Sequence, residues 1–141
     1  MKNKLVIILF SLLLVSCSSV PEENKNKFTN LSYQGGLEIY QARCAVCHGE
    51  NGQGFKDLYP PIAGSDYLTK HKDLVPCIIK NGLEGEITVN DKVYNSKMIS
   101  HSDLTDMELA DLMTFIYNSW EMNEGTFSKG EIKDMLDNCK E

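Results

Sequence analysis

Basic residues are scarce in this sequence. Lysine and arginine together number 14, against 20 aspartates and glutamates among 141 residues. Proteins that bind nucleic acid neutralise phosphates with clustered basic side chains, so we do not expect nucleic acid as a partner. The excess of acidic residues has two possible roles. It keeps the protein soluble, or it steers the protein towards a basic docking patch on another protein.

The chain is also short, and its N-terminal run of apolar residues is short. The chain is about one domain long, so a second domain is not expected. Its apolar N-terminal run, from Leu5 to Phe10 and on through Leu14, is too short to cross a bilayer as a stable helix, which needs about 20 residues. Two lysines precede this run and small residues follow it, a pattern typical of a cleaved secretion signal, with an uncleaved anchor as the alternative. Cleavage would change the formal net charge from −6 to −8.

The end of the apolar run carries a second signal. Residues 14–17, Leu-Val-Ser-Cys, resemble the lipobox of bacterial lipoproteins. The resemblance implies that residues 1–16 are removed and that Cys17 is acylated, which anchors the protein to a membrane outside the cytoplasm. An ordinary signal with an incidental cysteine is the alternative. The polar residues 17–31 predict a flexible tether, and residues 32–141 the folded domain.

The rest of the chain predicts an all-α fold with one small hairpin. Apolar spacing predicts a helix over 33–48, and a loop rich in Gly, Pro, Asn and Asp follows. Asp73 is positioned to cap a short helix over 74–81, with Pro76 in its first turn. Two three-residue segments, ITV and KVY, flank Asn90 and Asp91 and predict the hairpin.

Two helix starts carry the pattern of a capping box. Thr105 with Glu108, and Ser128 with Glu131, have the spacing at which each side chain bonds the other residue's backbone amide. The apolar stripes that follow are Leu109, Leu112, Met113, Ile116 and Trp120 in the first helix, and Ile132, Met135, Leu136 and Cys139 in the second. We therefore expect about three core helices plus a short C-terminal helix, with few apolar residues for so much loop. A bound cofactor would complete the core.

The motif that carries chemistry is Cys44-Ala-Val-Cys47-His48. This pattern is the attachment signature of c-type haem. On a helical turn, positions three apart share a face, so both thiols reach the same porphyrin edge. His48 then projects over the ring and is the candidate proximal iron ligand.

Two other readings of the cysteines are weaker. A zinc site requires a second pair of ligands at similar spacing, but Cys77 and Cys139 are single residues. A thioredoxin-like pair belongs to a chain with strands and crossovers, which this sequence lacks. In an exported protein Cys77 and Cys139 are instead candidates for a disulfide, with two buried free thiols as the alternative.

Residues 33–120 resemble the class I c-type cytochrome family. The resemblance rests on Gly36, Tyr40 and the CAVCHG motif, on the segment PPIAGSDYL at 60–68, and on the segment 81–98. It implies the cytochrome c fold around one covalent haem c, and close crossing of the first helix with the helix that contains Phe115. It also implies that a proline carbonyl accepts the proximal imidazole proton, which we assign to Pro61 with Pro60 as the alternative.

The same resemblance implies that Met98 is the distal iron ligand. The family usually has proline directly after this methionine, whereas Ile99 stands here. Loop packing is the alternative role for Met98, and His101 the alternative ligand. A thioether ligand favours ferrous iron, and a filled coordination sphere leaves little room for a substrate.

These features predict an electron carrier and not an enzyme. We expect redox protein partners: a dehydrogenase, a reductase or a terminal oxidase. The alternatives are an open-site haem sensor or weak peroxidase, and a dedicated cytochrome subunit of an oxidoreductase complex.

Overall fold

The computed structural model describes residues 22–139. Its helices are α1 (Glu22–Arg43), α2 (Ala45–His48), α3 (Asp66–Lys70), α4 (Val75–Asn81), α5 (Asp106–Ile116) and α6 (Lys129–Asp137), with a 3₁₀ turn at Lys72–Leu74. The strands are β1 (Ile87–Val89) and β2 (Lys92–Tyr94). The predicted all-α fold with one hairpin is confirmed. No helix within residues 22–139 is long and apolar enough to cross a membrane.

The N-terminal predictions fall partly outside this range. The signal (1–16), Cys17 and residues 18–21 are not among the described residues. Residues 22–31, predicted as part of a flexible tether, are helical and form the first turns of α1. The prediction is wrong for these residues because extending an established helix adds one hydrogen bond for each residue fixed, whereas starting one is costly.

The first helix crosses α5 at a glycine. A Cβ added at Gly36 would stand 2.0 Å from the Asp111 carbonyl oxygen and 2.7 Å from the Phe115 Cβ. One turn later, the rings of Tyr40 and Phe115 pack with centroids 5.1 Å apart. The close crossing expected from Gly36, Tyr40 and Phe115 is confirmed.

The core collects around this crossing. Tyr40 and Leu109 are fully buried, and Val75 and Ile79 bring α4 into the same cluster. The remaining buried members are Leu104, Ala110, Leu112, Met113, Phe115, Ile116, Tyr117, Phe127 and Ile132. Partly buried Cys44, Leu68 and Met98 pack against it, so the core reaches the predicted cofactor residues.

Both capping boxes form. Thr105 Oγ1 accepts from the Glu108 amide, and the Glu108 carboxylate accepts from the Thr105 amide at 2.8 Å. Ser128 and Glu131 repeat the arrangement at the start of α6. These reciprocal bonds satisfy amides that have no partner within the helix.

Trp120 departs from the predicted stripe of α5. The helix ends at Ile116, and Trp120 has φ +51°, a left-handed conformation outside the helix. The Asn118 side chain donates to the Thr114 and Gly125 carbonyls, which supports the turn that ends the helix. The indole therefore packs from a turn and not from a helix face.

The predicted helix at 74–81 begins differently from the expectation. A 3₁₀ turn at Lys72–Leu74 leads into α4, whose N-cap is Leu74 without a side-chain cap bond. The predicted cap by Asp73 is thus wrong. Pro76 lies in the first turn, where its missing N–H leaves one fewer amide to satisfy.

The hairpin and the disulfide follow the predictions. Val89 pairs with Lys92, so Asn90 and Asp91 form a two-residue turn in which both have positive φ, as a type I′ turn requires. Cys77 and Cys139 are joined by a disulfide, which ties α4 to the residues after α6. A crosslink between cysteines 62 residues apart restricts the unfolded chain and stabilises the fold.

Candidate functional site

The CAVCH motif lies at a break between two helices. The motif was predicted at the end of one helix, but α1 stops at Arg43 and Cys44 precedes the single turn of α2. The Cys44 amide still donates to the Tyr40 carbonyl at 2.8 Å, and the His48 amide donates to the Cys44 carbonyl at 2.9 Å. The two cysteines are therefore held one turn apart.

Burial sets the electrostatics of this turn. Desolvation raises the pKa of the Cys44 thiol to about 11, although the nearby Arg43 charge lowers it. Burial also lowers the pKa of His48, partly offset by its hydrogen bond to Pro60. The neutral imidazole, which is the form that binds metal, is thus favoured.

The imidazole is oriented by a backbone carbonyl. His48 Nδ1 donates to the Pro60 oxygen at 2.9 Å, which leaves Nε2 as the free ring nitrogen. The assignment of this role to Pro61 is wrong, and the alternative, Pro60, is right. The fold of the loop decides which of the two consecutive carbonyls faces the ring, and it is the Pro60 oxygen.

Residues 49–63, here called the histidine-side loop, present the Pro60 carbonyl. The Gly52 oxygen accepts from the Ile62 and Ala63 amides at 2.8 and 2.9 Å. Gly54, with φ +70°, lies so close that a Cβ there would stand 2.5 Å from the Tyr59 oxygen and 2.8 Å from the Pro60 carbonyl carbon. The loop is thus folded tightly on its own backbone.

Two aromatic residues support this loop, a role that the sequence analysis missed. The Tyr40 hydroxyl donates to the Gly49 oxygen at 2.7 Å, just after α2. The Trp120 indole packs against Tyr40 and Phe115 with centroids 5.4 and 5.5 Å apart. A Cβ at Gly52 would meet the indole at 3.0 Å, so the ring lies directly against the loop backbone.

Met98 is fixed mainly through its backbone. Its amide donates to the Leu83 oxygen at 2.9 Å, and its oxygen accepts from the Leu83 amide at 3.1 Å. Gly82, with φ +80°, allows this approach, since a Cβ there would stand 2.6 Å from the Met98 oxygen. The Met98 side chain is half-buried and lines the same cleft as His48.

That cleft has the character of a porphyrin site. It encloses about 700 Å³ of empty space including its mouth. Besides Cys44, His48 and Met98, its lining is almost entirely apolar and includes Ile62, Leu68, Ile79, Leu83, Val89, Leu112 and Ile116. His101, the alternative ligand, also lines it and is half-buried. The pairing of thiols with an imidazole, a thioether and apolar walls fits a covalently bound haem.

Two exposed apolar side chains and two cations lie around the mouth of the cleft. Val46, between the two cysteines, is 85% exposed, and Ile99, next to Met98, is 66% exposed. The nearby cations are already paired: Arg43 bonds Asp103 at 2.6 Å, and Lys97 bonds Glu84 at 2.9 Å. Carboxylates therefore balance both of these cations.

Comparison with known proteins gives the family. Residues 33–120 match the family described as cytochrome c. The chain belongs to the cytochrome c family. Members of this family carry haem c bound covalently and transfer electrons, which agrees with the motif and the cleft.

Individual cytochromes are also similar to this chain. Two proteins from Thermus thermophilus, both named cytochrome c-552, are 36% and 37% identical over 94 and 89 residues. These alignments cover 64% and 60% of this chain and 63% and 67% of the relatives. The cytochrome c subunit of a quinone-dependent alcohol dehydrogenase from Gluconobacter oxydans is 29% identical over 104 residues, 71% of this chain but 21% of that protein.

Proposed function

We propose that this cytochrome is a single-electron carrier whose one haem c is attached through Cys44 and Cys47 and ligated by His48 and Met98. The observation that carries the proposal is that the oriented imidazole of His48 and the side chain of Met98 line one apolar cleft with Cys44. Haem iron supplies the one-electron chemistry. The residues of the chain bind the group, keep water away and set its electron affinity.

The protein influences that electron affinity through the side chains of His48 and Met98. The Pro60 carbonyl accepts the imidazole proton, which makes His48 a better electron donor to a bound metal. A thioether at the other position favours the reduced state relative to a second histidine.

Ligation by Met98 is tested by optical spectra of the ferric and ferrous holoprotein. We expect a sulfur-to-iron charge-transfer band in the ferric wild type, its loss in Met98→Ala, and its persistence in His101→Ala. A band that survives Met98→Ala would contradict the assignment. Prompt spectral change on adding carbon monoxide to the reduced wild type would favour an open-site sensor or peroxidase instead.

The protein is tethered outside the cytoplasm through lipid on Cys17. The lipobox-like residues 14–17 support this part of the proposal. We expect Cys17→Ser to move the holoprotein from the membrane fraction to the soluble fraction without changing its spectrum. Retention of the variant in the membrane fraction would contradict lipid anchoring.

Redox proteins are the proposed partners: a dehydrogenase, a reductase or a terminal oxidase. One relative is named as a subunit of a dehydrogenase, which makes a dedicated subunit the second candidate. Purification after gentle membrane solubilisation separates the two. A free carrier is recovered alone, whereas a subunit is recovered in constant ratio with one large oxidoreductase.

A further inference from the structure

Lys80 bonds the chain segment that follows Met98. It lies in the last turn of α4, and its side chain is half-buried. Its Nζ donates to the Ser102 oxygen at 3.0 Å and to the Leu104 oxygen at 2.5 Å. One ammonium group thus binds two backbone carbonyls, and such charge-assisted bonds are stronger than those between neutral groups.

The backbone near Lys80 contacts the same segment. The Ser100 hydroxyl donates to the Lys80 oxygen at 2.6 Å. The His101 amide donates to the Ile79 oxygen at 2.9 Å. Residues 98–104, here called the methionine-side segment, are therefore bonded at four points to two consecutive residues of α4.

Between its two ends, the segment buries few apolar side chains. Ile99 is 66% exposed, and the residues at 100, 102 and 103 are exposed as well. Leu104 is buried at the far end. Outside α4, the segment is bonded at its start through the backbone pair of Met98 and Leu83. It is also bonded by an exposed ion pair between Arg43 and Asp103, and solvent screens such pairs strongly. Beyond Met98, polar bonds to α4 therefore hold most of this segment in place.

Helix α4 is a firm support for these bonds. Val75 and Ile79 belong to the core cluster, and the disulfide of Cys77 joins α4 to the chain end after α6. Lys80 is three residues beyond Cys77. Its ammonium group is thus held on one of the better fixed parts of the molecule.

We propose that Lys80 is a positioning residue that holds residues 98–104 against α4 and so keeps the Met98 thioether in the cleft. This inference rests on the proposed ligation by Met98. Lys80 does not touch the reacting group. It acts through the backbone that carries the methionine, so its loss should increase opening of this segment without altering attachment at Cys44 and Cys47.

The test compares Lys80→Met with Lys97→Met in the holoprotein. Lys97 is adjacent to Met98 but is exposed, and it forms an ion pair with exposed Glu84, so it is the matched control. Imidazole added to the ferric protein competes with Met98 for the iron. We expect about tenfold tighter imidazole binding in Lys80→Met, given the strength of charged hydrogen bonds, and no change in Lys97→Met.

Hydrogen exchange gives a second measurement that does not depend on ligation. We expect the amides of Met98 and His101 to exchange faster in Lys80→Met, while amides of α5 keep the wild-type rate. Equal imidazole affinity and equal exchange in wild type and Lys80→Met would overturn the inference. If the wild type lacks the sulfur-to-iron band, the proposed ligation fails, but the exchange rates still decide the role of Lys80.

If Lys80→Met does not accumulate as folded protein, two variants that keep a hydrogen-bond donor at position 80 replace it. Lys80→Arg keeps a charged donor, and Lys80→Gln keeps only a neutral one. We expect imidazole affinity and exchange at His101 to rise in the order wild type, Arg, Gln. An order unrelated to the donor at position 80 would overturn the inference.

Discussion

The histidine-side loop and the methionine-side segment are held by different kinds of interaction. The loop lies against aromatic rings, since Trp120 covers Gly52 and Tyr40 bonds Gly49. The segment is tied by hydrogen bonds, from the backbone pair of Met98 and Leu83 and from the Lys80 ammonium. Apolar packing within a core resists opening, whereas polar bonds near the surface exchange with water. The difference indicates that Met98 is the more readily displaced of the two candidate ligands.

The largest expected effect is at the helix crossing beneath the loop. Gly36→Ala places a methyl group 2.0 Å from the Asp111 oxygen, so α1 and α5 must separate and the packing of Tyr40 on Phe115 is lost. We expect the free energy of unfolding to fall by about 4 kcal/mol. Denaturant unfolding of the holoprotein measures it.

Gly35→Ala is the matched control for that variant. A Cβ at Gly35 would meet only the end of the Asp111 side chain, at 3.2 Å, which is able to move. Alanine is also the better helix former, so we expect a gain of roughly 0.5 kcal/mol. A loss of stability in Gly35→Ala similar to that in Gly36→Ala would show that the crossing does not depend on contact at position 36.

The next effect is at the aromatic support of the loop. Trp120→Ala removes the ring that lies on Gly52, and we expect a loss of about 3 kcal/mol. The Pro60 carbonyl would then hold the His48 proton less firmly, so the reduction potential should rise. Potentiometric titration measures the shift.

Phe127→Ala separates that effect from general loss of core packing. Phe127 is buried and packs on Tyr117, with ring centroids 5.4 Å apart, and it does not line the cleft. We expect lower stability but an unchanged potential. If both variants shifted the potential equally, the special role of Trp120 would be refuted.

Local sequence patterns predict some parts of the site and not others. The thiols and His48 lie within one turn, so local spacing was enough to place them. The capping boxes and the Asn90-Asp91 turn are equally local and were predicted correctly. In contrast, the choice between Pro60 and Pro61 depends on which carbonyl the folded loop turns towards the ring, which a short pattern does not specify.

Long-range packing explains the errors in the helices. Trp120 continues the apolar spacing of α5, but tertiary contact with Gly52 and Tyr40 places it in a turn. The single turn of α3, capped by Ser65, was not predicted because it is short and lies beside glycine and proline. Lys80 is an ordinary surface residue in sequence, and only the fold brings carbonyls from 22 and 24 residues away to its side chain.

The smallest expected effect concerns pH at the end of the methionine-side segment. Bonds from the Thr105 amide and hydroxyl lower the pKa of Glu108 below 4.5. The folded state therefore gains stability from ionised Glu108 above about pH 4.5, and loses it as pH falls through the lowered pKa. Glu108→Gln keeps the capping box but not the titration, so its melting temperature should fall less between neutral and acid pH.

Glu86→Gln makes the same change of charge at an exposed position outside the helices and is the control. We expect its melting temperature to follow the wild-type pH dependence. A flatter profile in Glu86→Gln equal to that of Glu108→Gln would mean that net charge, and not the capping box, sets the acid sensitivity.

The most direct test of the whole account is the mass of one tryptic peptide. Cleavage after Arg43 and Lys56 releases residues 44–56, which contain both motif cysteines and His48. In protein from a host that matures c-type cytochromes, this peptide should carry the added mass of one haem and no thiol that alkylates. A peptide of unmodified mass with two alkylatable thiols would contradict haem attachment at Cys44 and Cys47.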